Sequence, residues 1–240
     1  LFLAPVPPKA WNTKVAPKPV PEGREKDSLG NFYARLSKEG VRCVDLRQVL
    51  GTEGDAAELK FCKTDSHWSG EGCVSAAKAV AEAVRPLLPK SGSTRFQEHW
   101  DELEIRGDLA DLAHSPEALR EKVRVRRVSD ASGGPLRADP SSPILILGDS
   151  HTLVFHDFFA EGSGFTDQLA METGFTPDWI GTRGSGSNAV RLSLLRRNAK
   201  DAGYLAGKKV VIWCFASREF TEADQGWLQI PLSPGAKEQK

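Results

Sequence analysis

An α/β fold, with a mostly parallel central sheet flanked by helices, is predicted by three observations. Short apolar runs alternate with segments of helical apolar spacing along the second half of the chain. One run, Pro143-Ile144-Leu145-Ile146-Leu147, is continuous, as expected of a central strand buried on both faces. It leads directly into Gly148-Asp149-Ser150-His151, which places a serine where open α/β sheets bind their ligands.

The elements follow in order. Leu1 to Val6 is a strand, and because the chain opens on it, preceding sequence, a targeting segment included, is expected to be missing. A Pro- and Lys-rich stretch to about Glu25 reads as an extended loop. Residues 29–39 have helical spacing and stop at Gly40, and Val41 to Leu46 is a short strand. Ala76 to Leu88 is a helix with Pro86 in its closing turn. Residues 90–140 give no clear period, apart from Arg120 to Arg127, which reads as a partly exposed strand. After the Ile144 run come a helix-like Leu153–Phe159, a helix near Thr166–Thr173 and a strand near Asp178–Ile180. A helix near Asn188–Ala202 and a strand from Lys209 to Phe215 complete the alternation. No internal repeat or second domain is visible, so residues 1–240 are expected to form one domain.

Charge narrows the functional classes. The 32 acidic and 32 basic residues balance, whereas nucleic-acid binding relies on excess Lys and Arg, so no nucleic-acid partner is expected. No run approaches the ~20 apolar residues that span a bilayer. Of the four cysteines, Cys62 and Cys73 could close a disulfide around His67 in an oxidising compartment. Cys43 and Cys214 sit in strand-like runs, where a buried thiol is equally ordinary.

Three segments carry candidate chemistry. Ser150 follows a buried strand and precedes a helix, and backbone amides at that helix start can stabilise an oxyanion; a plain helix cap is the alternative. In Thr64-Asp65-Ser66-His67-Trp68-Ser69, a carboxylate and an imidazole lie two residues apart. A serine hydroxyl needs a base to take its proton, and a carboxylate-oriented histidine supplies one. Trp68 is expected to pack beside this loop and fix its path. Gly181-Thr182-Arg183-Gly184-Ser185-Gly186-Ser187-Asn188 can donate a backbone N–H to an anion, but it lacks the glycine spacing of a nucleotide loop. A zinc site at Cys62, His67 and Cys73 matches no common spacing and lacks a fourth ligand. His151 is suited to contact substrate or cap the helix, and His156, among Phe155, Phe158 and Phe159, reads as a packing residue.

Together these segments resemble the SGNH (GDSL-like) hydrolase superfamily. Within it they are most similar to the circularly rearranged branch of alginate O-acetyltransferases and related polysaccharide acetylation proteins. The likeness rests on LFLAPVPPK, TDSHWSGEG, GDLADLAHSPE, ILILGDSH and VVIWCFASREF, with Asp65-x-His67 ahead of Ser150 rather than after it. It implies Ser150 as nucleophile, His67 as base and Asp65 as its orienter. It also implies the amides of Ser150 and Gly186 as oxyanion donors, with Gly184 the rival for the second. The Asn of related hydrolases has no counterpart in Phe215-Ala216-Ser217-Arg218-Glu219; Asn188 is a substitute candidate, and Arg218 is implied to bind substrate or hold the loop. The resemblance implies two-step acetyl transfer without metal or organic cofactor, onto hydroxyls of an exported polysaccharide, outside the cytoplasmic membrane. An acetyl donor and a membrane-bound acetyl-transfer partner are implied with it. Acetylester hydrolysis by the same triad, and a non-catalytic binding module, are the competing readings.

Overall fold

The computed structural model describes residues 1–8, 28–51, 60–90, 94–114, 116, 119–184, 187–220 and 226–231. Five strands form a parallel sheet in the order β2-β1-β7-β5-β6: β1 Phe2–Val6, β2 Arg42–Cys43, β5 Ile144–Gly148, β6 Asp178–Gly181 and β7 Val210–Ala216. The α/β class read from the sequence is therefore the observed one. The strand expected from Val41 to Leu46 pairs only over Arg42–Cys43, and Arg47–Leu50 then forms a helical turn.

Side chains alternate between the two sheet faces, as strand geometry requires. Ala4, Val6, Ile144, Ile146, Ile212 and Cys214 join one core. Leu3, Leu145, Leu147, Trp213 and Phe215 join the other. Full burial of Ile144, Leu145 and Ile146 stabilises the fold by about 1.5–3 kcal/mol for each side chain. The first face is covered by the helix Gly70–Val84, whose Ala76, Ala77, Val80 and Val84 are buried, and by Phe165 and Leu169 of the helix Phe165–Thr173. The second face is covered by Val190 and Leu194 of the helix Ser187–Lys200.

The helix expected over Ala76–Leu88 starts earlier, because Ser69 Oγ accepts from the Gly72 amide and caps it at Gly70. It ends at Val84, and Pro86 sits in the following 3-10 turn, Arg85–Leu87. The helix expected over Leu153–Phe159 is an α-turn from Ser150 to Leu153 followed by a π-turn over Val154–Phe158, where the Phe159 amide reaches the Val154 carbonyl.

The stretch without a clear period contains an antiparallel hairpin, β3 Gln97–Ile105 with β4 Glu121–Ser129, outside the parallel sheet. Val123 and Val125 enter the first core, and Val128 packs with Leu136 and Ala170. Gly70 lets helix and hairpin touch: a Cβ there would stand 2.3 Å from the Arg124 carbonyl. Arg126, buried, is held by Gln168 at 2.7 Å and Glu172 at 2.6 Å.

Candidate active site

The carboxyl ends of β1, β5 and β7 open on one side of the molecule. Pro7 and Pro8 follow β1, His151 lies three residues past the end of β5, and Ser217 and Arg218 follow β7. With Ser66 and Leu109 they surround a cleft of about 230 Å³. Such clefts at strand ends are where open α/β sheets bind ligands.

Ser150 is held by a clamp centred on Asp149. One Asp149 oxygen accepts from the His151 amide at 2.8 Å and the other from the Ala216 amide at 2.7 Å, which ties the end of β5 to the end of β7. Burial works to raise the Asp149 carboxyl, but the charge and hydrogen bond of His151, with those two amides, outweigh it and hold the pKa at about 2. Gly148 is required here, since a Cβ would stand 2.2 Å from Thr152 Oγ1. The Ser150 amide, first in its helix, carries no hydrogen bond among the described residues.

Asp65 and His67 arrive from the other half of the chain on a closed loop. An isolated bridge joins Phe61 to Trp68, and the Cys62 amide donates to the His67 carbonyl at 3.1 Å. Trp68 is fully buried and stacks on Phe165 with ring centres 5.6 Å apart, so it does fix the path of the loop. Asp65 Oδ1 lies 2.6 Å from His67 Nδ1, and His67 Nε2 lies 2.8 Å from Ser150 Oγ. A proton on Nδ1 facing the carboxylate leaves Nε2 as acceptor for the serine hydroxyl. Burial pushes the Asp65 carboxyl up, but the hydrogen bonds and charge of His67 and the Asp108 amide prevail and hold it below the usual range.

Residues from the region without a clear period support this loop. Asp108 accepts from the Ser66 amide at 2.7 Å and from Ser66 Oγ at 2.6 Å, while its own amide donates to Asp65 Oδ2 at 3.1 Å. Glu121 accepts from the Thr64 amide at 2.6 Å and from the Lys63 amide at 2.7 Å. Gly107 permits the approach: a Cβ there would stand 2.3 Å from Asp65 Cβ. GDLADLAHSPE was a visible segment, but nothing local in it signals that Asp108 reaches Ser66.

Ligand atoms of Asp65, His67 and Asp108 lie within 4.8 Å of one another, a spacing that could hold a cation. Every one of those atoms is already engaged by Ser66, Ser150, the Asp108 amide or a member of the group. The donor set is spent on a hydrogen-bond network. The zinc alternative at Cys62, His67 and Cys73 fails on the same ground, since both His67 ring nitrogens are taken.

Other expectations change. The disulfide expected between Cys62 and Cys73 is not formed; both are buried thiols, and Cys62 Sγ donates to the Trp68 carbonyl at 3.3 Å. Asn188 Oδ1 accepts from Arg191 and from the Leu228 amide, so its side chain is tied to the segment after β7. Gly186, the expected second oxyanion donor, lies outside the described residues. Described residues on either side of it are anchored: the Thr182 amide donates to the Gly148 carbonyl at 3.0 Å, and the Ser187 amide to Glu219 at 2.7 Å. Gly184 is exposed with φ +59°. Arg218 lines the cleft with Ser66 and His151. His156, expected only to pack, pairs with buried Asp167 at 2.8 Å.

Comparison with known proteins bears on the family and the fold. The family profile described as the SGNH hydrolase-like domain of the acetyltransferase AlgX matches residues 1–217. The probable alginate O-acetylase AlgJ of Pseudomonas putida is 27% identical over 234 residues, covering 91% of this chain and 58% of that protein. The protein of that name from Azotobacter vinelandii is 24% identical over 217 residues, covering 82% of this chain and 53% of its own length. The chain thus spans little more than half the length of these curated relatives. The solved O-acetyltransferase domain of Pseudomonas putida AlgJ superposes with a TM-score of 0.69 at 24% identity, over 92% of this chain and 76% of that one. Pseudomonas aeruginosa AlgX superposes with a TM-score of 0.57 at 20% identity, over 78% of this chain and 42% of that one. With the fold, the motif order and a profile match over most of its length in agreement, the chain belongs to the SGNH hydrolase-like domain family of the acetyltransferase AlgX.

Proposed function

We propose that this chain is a single acyltransferase domain that carries an acetyl group on Ser150 and passes it to a hydroxyl of an exported polysaccharide. One observation carries the reading: Asp65, His67 and Ser150 form an unbroken hydrogen-bonded chain beside a cleft at the sheet's carboxyl edge. His67 takes the Ser150 proton as Oγ attacks the acetyl carbonyl of a donor, and the donor's leaving group departs with that proton. The acceptor hydroxyl then attacks the acetyl-serine, gives its proton to His67, and Ser150 Oγ leaves and recovers it. Asp65 holds the ring and stabilises the imidazolium. The unspent Ser150 amide, with that of Gly186, holds the oxyanion in each step. Arg218 contacts substrate in the cleft, and Asp108 positions the Asp65–His67 loop. This chemistry calls on neither a metal nor an organic cofactor.

The polysaccharide acceptor is supported by relatives named probable alginate O-acetylase. A place outside the cytoplasmic membrane and a membrane-bound acetyl-transfer partner belong to the same proposal and rest on the family resemblance of the sequence motifs. The test is incubation with a chromogenic acetyl ester, with and without acidic and neutral oligosaccharides. Acetylated oligosaccharide in the mass spectrum is the expected result. Free acetate alone, whatever the acceptor, makes the protein an acetylesterase instead.

A further inference from the structure

A second imidazole, built like the first, lines the cleft beside the triad. His151 Nδ1 lies 3.2 Å from Asp149 Oδ1, and the carboxylate that holds it stays ionised above about pH 2. The proton therefore sits on Nδ1, and in the neutral ring Nε2 presents a lone pair. That nitrogen has no hydrogen-bond partner among the described residues, and the His151 side chain is 10% exposed, so the ring meets solvent. The solvent it meets is the cleft, of which His151 is a wall. Its ring stands edge-on to Trp68, with centres 5.6 Å apart and planes at 88°, so it is fixed by packing as well as by Asp149. The His67 and His151 ring centres are 4.7 Å apart.

Two carboxylate-braced imidazoles at this spacing form a pair of acceptors. His67 Nε2 must take the proton of the hydroxyl that attacks the acetyl-serine. A lone pair on the neighbouring ring is then within range of a hydroxyl on the adjacent carbon of the same sugar. We propose that His151 reads the acyl acceptor: its Nε2 accepts from the hydroxyl next to the attacking one, so the site selects vicinal diols. This rests on the acetyl-transfer reading above and names the chemistry of its acceptor. His151 takes no proton in the reaction. Its hydrogen bond orients the sugar so that the attacking oxygen meets the acetyl carbon and His67 together.

The test uses acetyl transfer from a chromogenic ester to a methyl hexoside with all hydroxyls free, and to its monodeoxy counterparts. The parent protein is expected to favour the full sugar by about tenfold, the worth of one well-formed hydrogen bond. His151→Asn keeps a donor for Asp149 but withdraws the acceptor from the cleft, and this preference is expected to fall to near unity. His151→Gln, which can place a carbonyl oxygen where Nε2 was, is expected to restore part of it. Thermal melts report whether each variant folds, and His151→Phe, filling the ring's place against Trp68 without nitrogen, must lose the preference too. A parent that acetylates full and monodeoxy sugars equally, or a His151→Asn or His151→Phe protein that keeps the preference, overturns the role of His151 alone. A parent that acetylates no sugar at all overturns the transfer reading and takes this one with it.

Discussion

Asp65–His67 and Asp167–His156 are built from the same parts. Each carboxylate meets an imidazole Nδ1, at 2.6 Å in the first pair and 2.8 Å in the second. They differ in what the far side of the ring sees. His67 Nε2 faces Ser150 Oγ at 2.8 Å beside an open cleft. His156 Nε2 points toward Asp157, 3.9 Å away, and its ring packs edge-on to Trp179. Asp65 is also gripped from a distant segment through the Asp108 amide, whereas Asp167 is braced by the Gly164 amide three residues away. Of these two pairs, the first is suited to proton transfer because its second nitrogen meets a nucleophile at an accessible edge, and the second is a packing unit with a shared charge.

That contrast breaks most sharply on the nucleophile and base. Ser150→Ala or His67→Asn is expected to lower acetyl release from a chromogenic ester by about 10³-fold or more, with little change in melting temperature. His156→Phe is expected to do the reverse. It strands Asp167 without its partner and costs about 3 kcal/mol of stability, read by denaturant unfolding, while the folded fraction keeps its rate. Should His156→Phe abolish acetyl release while leaving stability intact, the division of labour between the pairs is wrong.

A smaller effect is expected one contact further out. Asp108→Asn weakens its hold on the Ser66 amide and hydroxyl but leaves its backbone donor to Asp65 in place. A drop of roughly tenfold to a hundredfold in rate is expected from the looser loop. Loss equal to that of His67→Asn would mean Asp108 acts on the reaction directly.

The pairs also titrate on opposite sides. The Asp65 pKa is lowered, so its stabilisation is full above the ordinary value of 3.8 and is lost as pH falls through the folded value. Burial works to lower His156, but the hydrogen bond and charge of Asp167 prevail and raise it. Its stabilisation is therefore full below the ordinary 6.5 and is lost as pH rises through the folded value. Unfolding curves across pH are expected to show His156→Phe removing the alkaline decline, and Asp65→Asn removing part of the acid one.

Much of this was legible because it is local. The continuous run Ile144–Leu147 and the turn after it announced a buried strand ending at a serine on the sheet's carboxyl edge, and Asp65-x-His67 is a pair at two-residue spacing. What sequence did not reveal depends on distance or on mixed exposure. The outer strand of the hairpin carries Glu98, Trp100, Glu102 and Glu104 on exposed positions, so its apolar signal is weak. Asp108 and Glu121 act on residues 64–66 across more than forty positions of chain, and no spacing rule connects them. His156 was masked by three neighbouring phenylalanines, because its partner Asp167 lies on the next helix. Cys62 and Cys73 suggested a disulfide by sequence proximity, but the Cys62 thiol turns to the Trp68 carbonyl.

The central claim is that the first pair drives covalent chemistry at one hydroxyl. Brief incubation with a chromogenic acetyl ester, acid quench, proteolysis and mass spectrometry locate the acetyl group directly. One acetyl is expected on the peptide that contains Ser150, and both that label and ester turnover are expected to vanish in Ser150→Ala. Turnover by Ser150→Ala at the parent's rate, or a kinetically competent acetyl group on any other residue, would contradict the account.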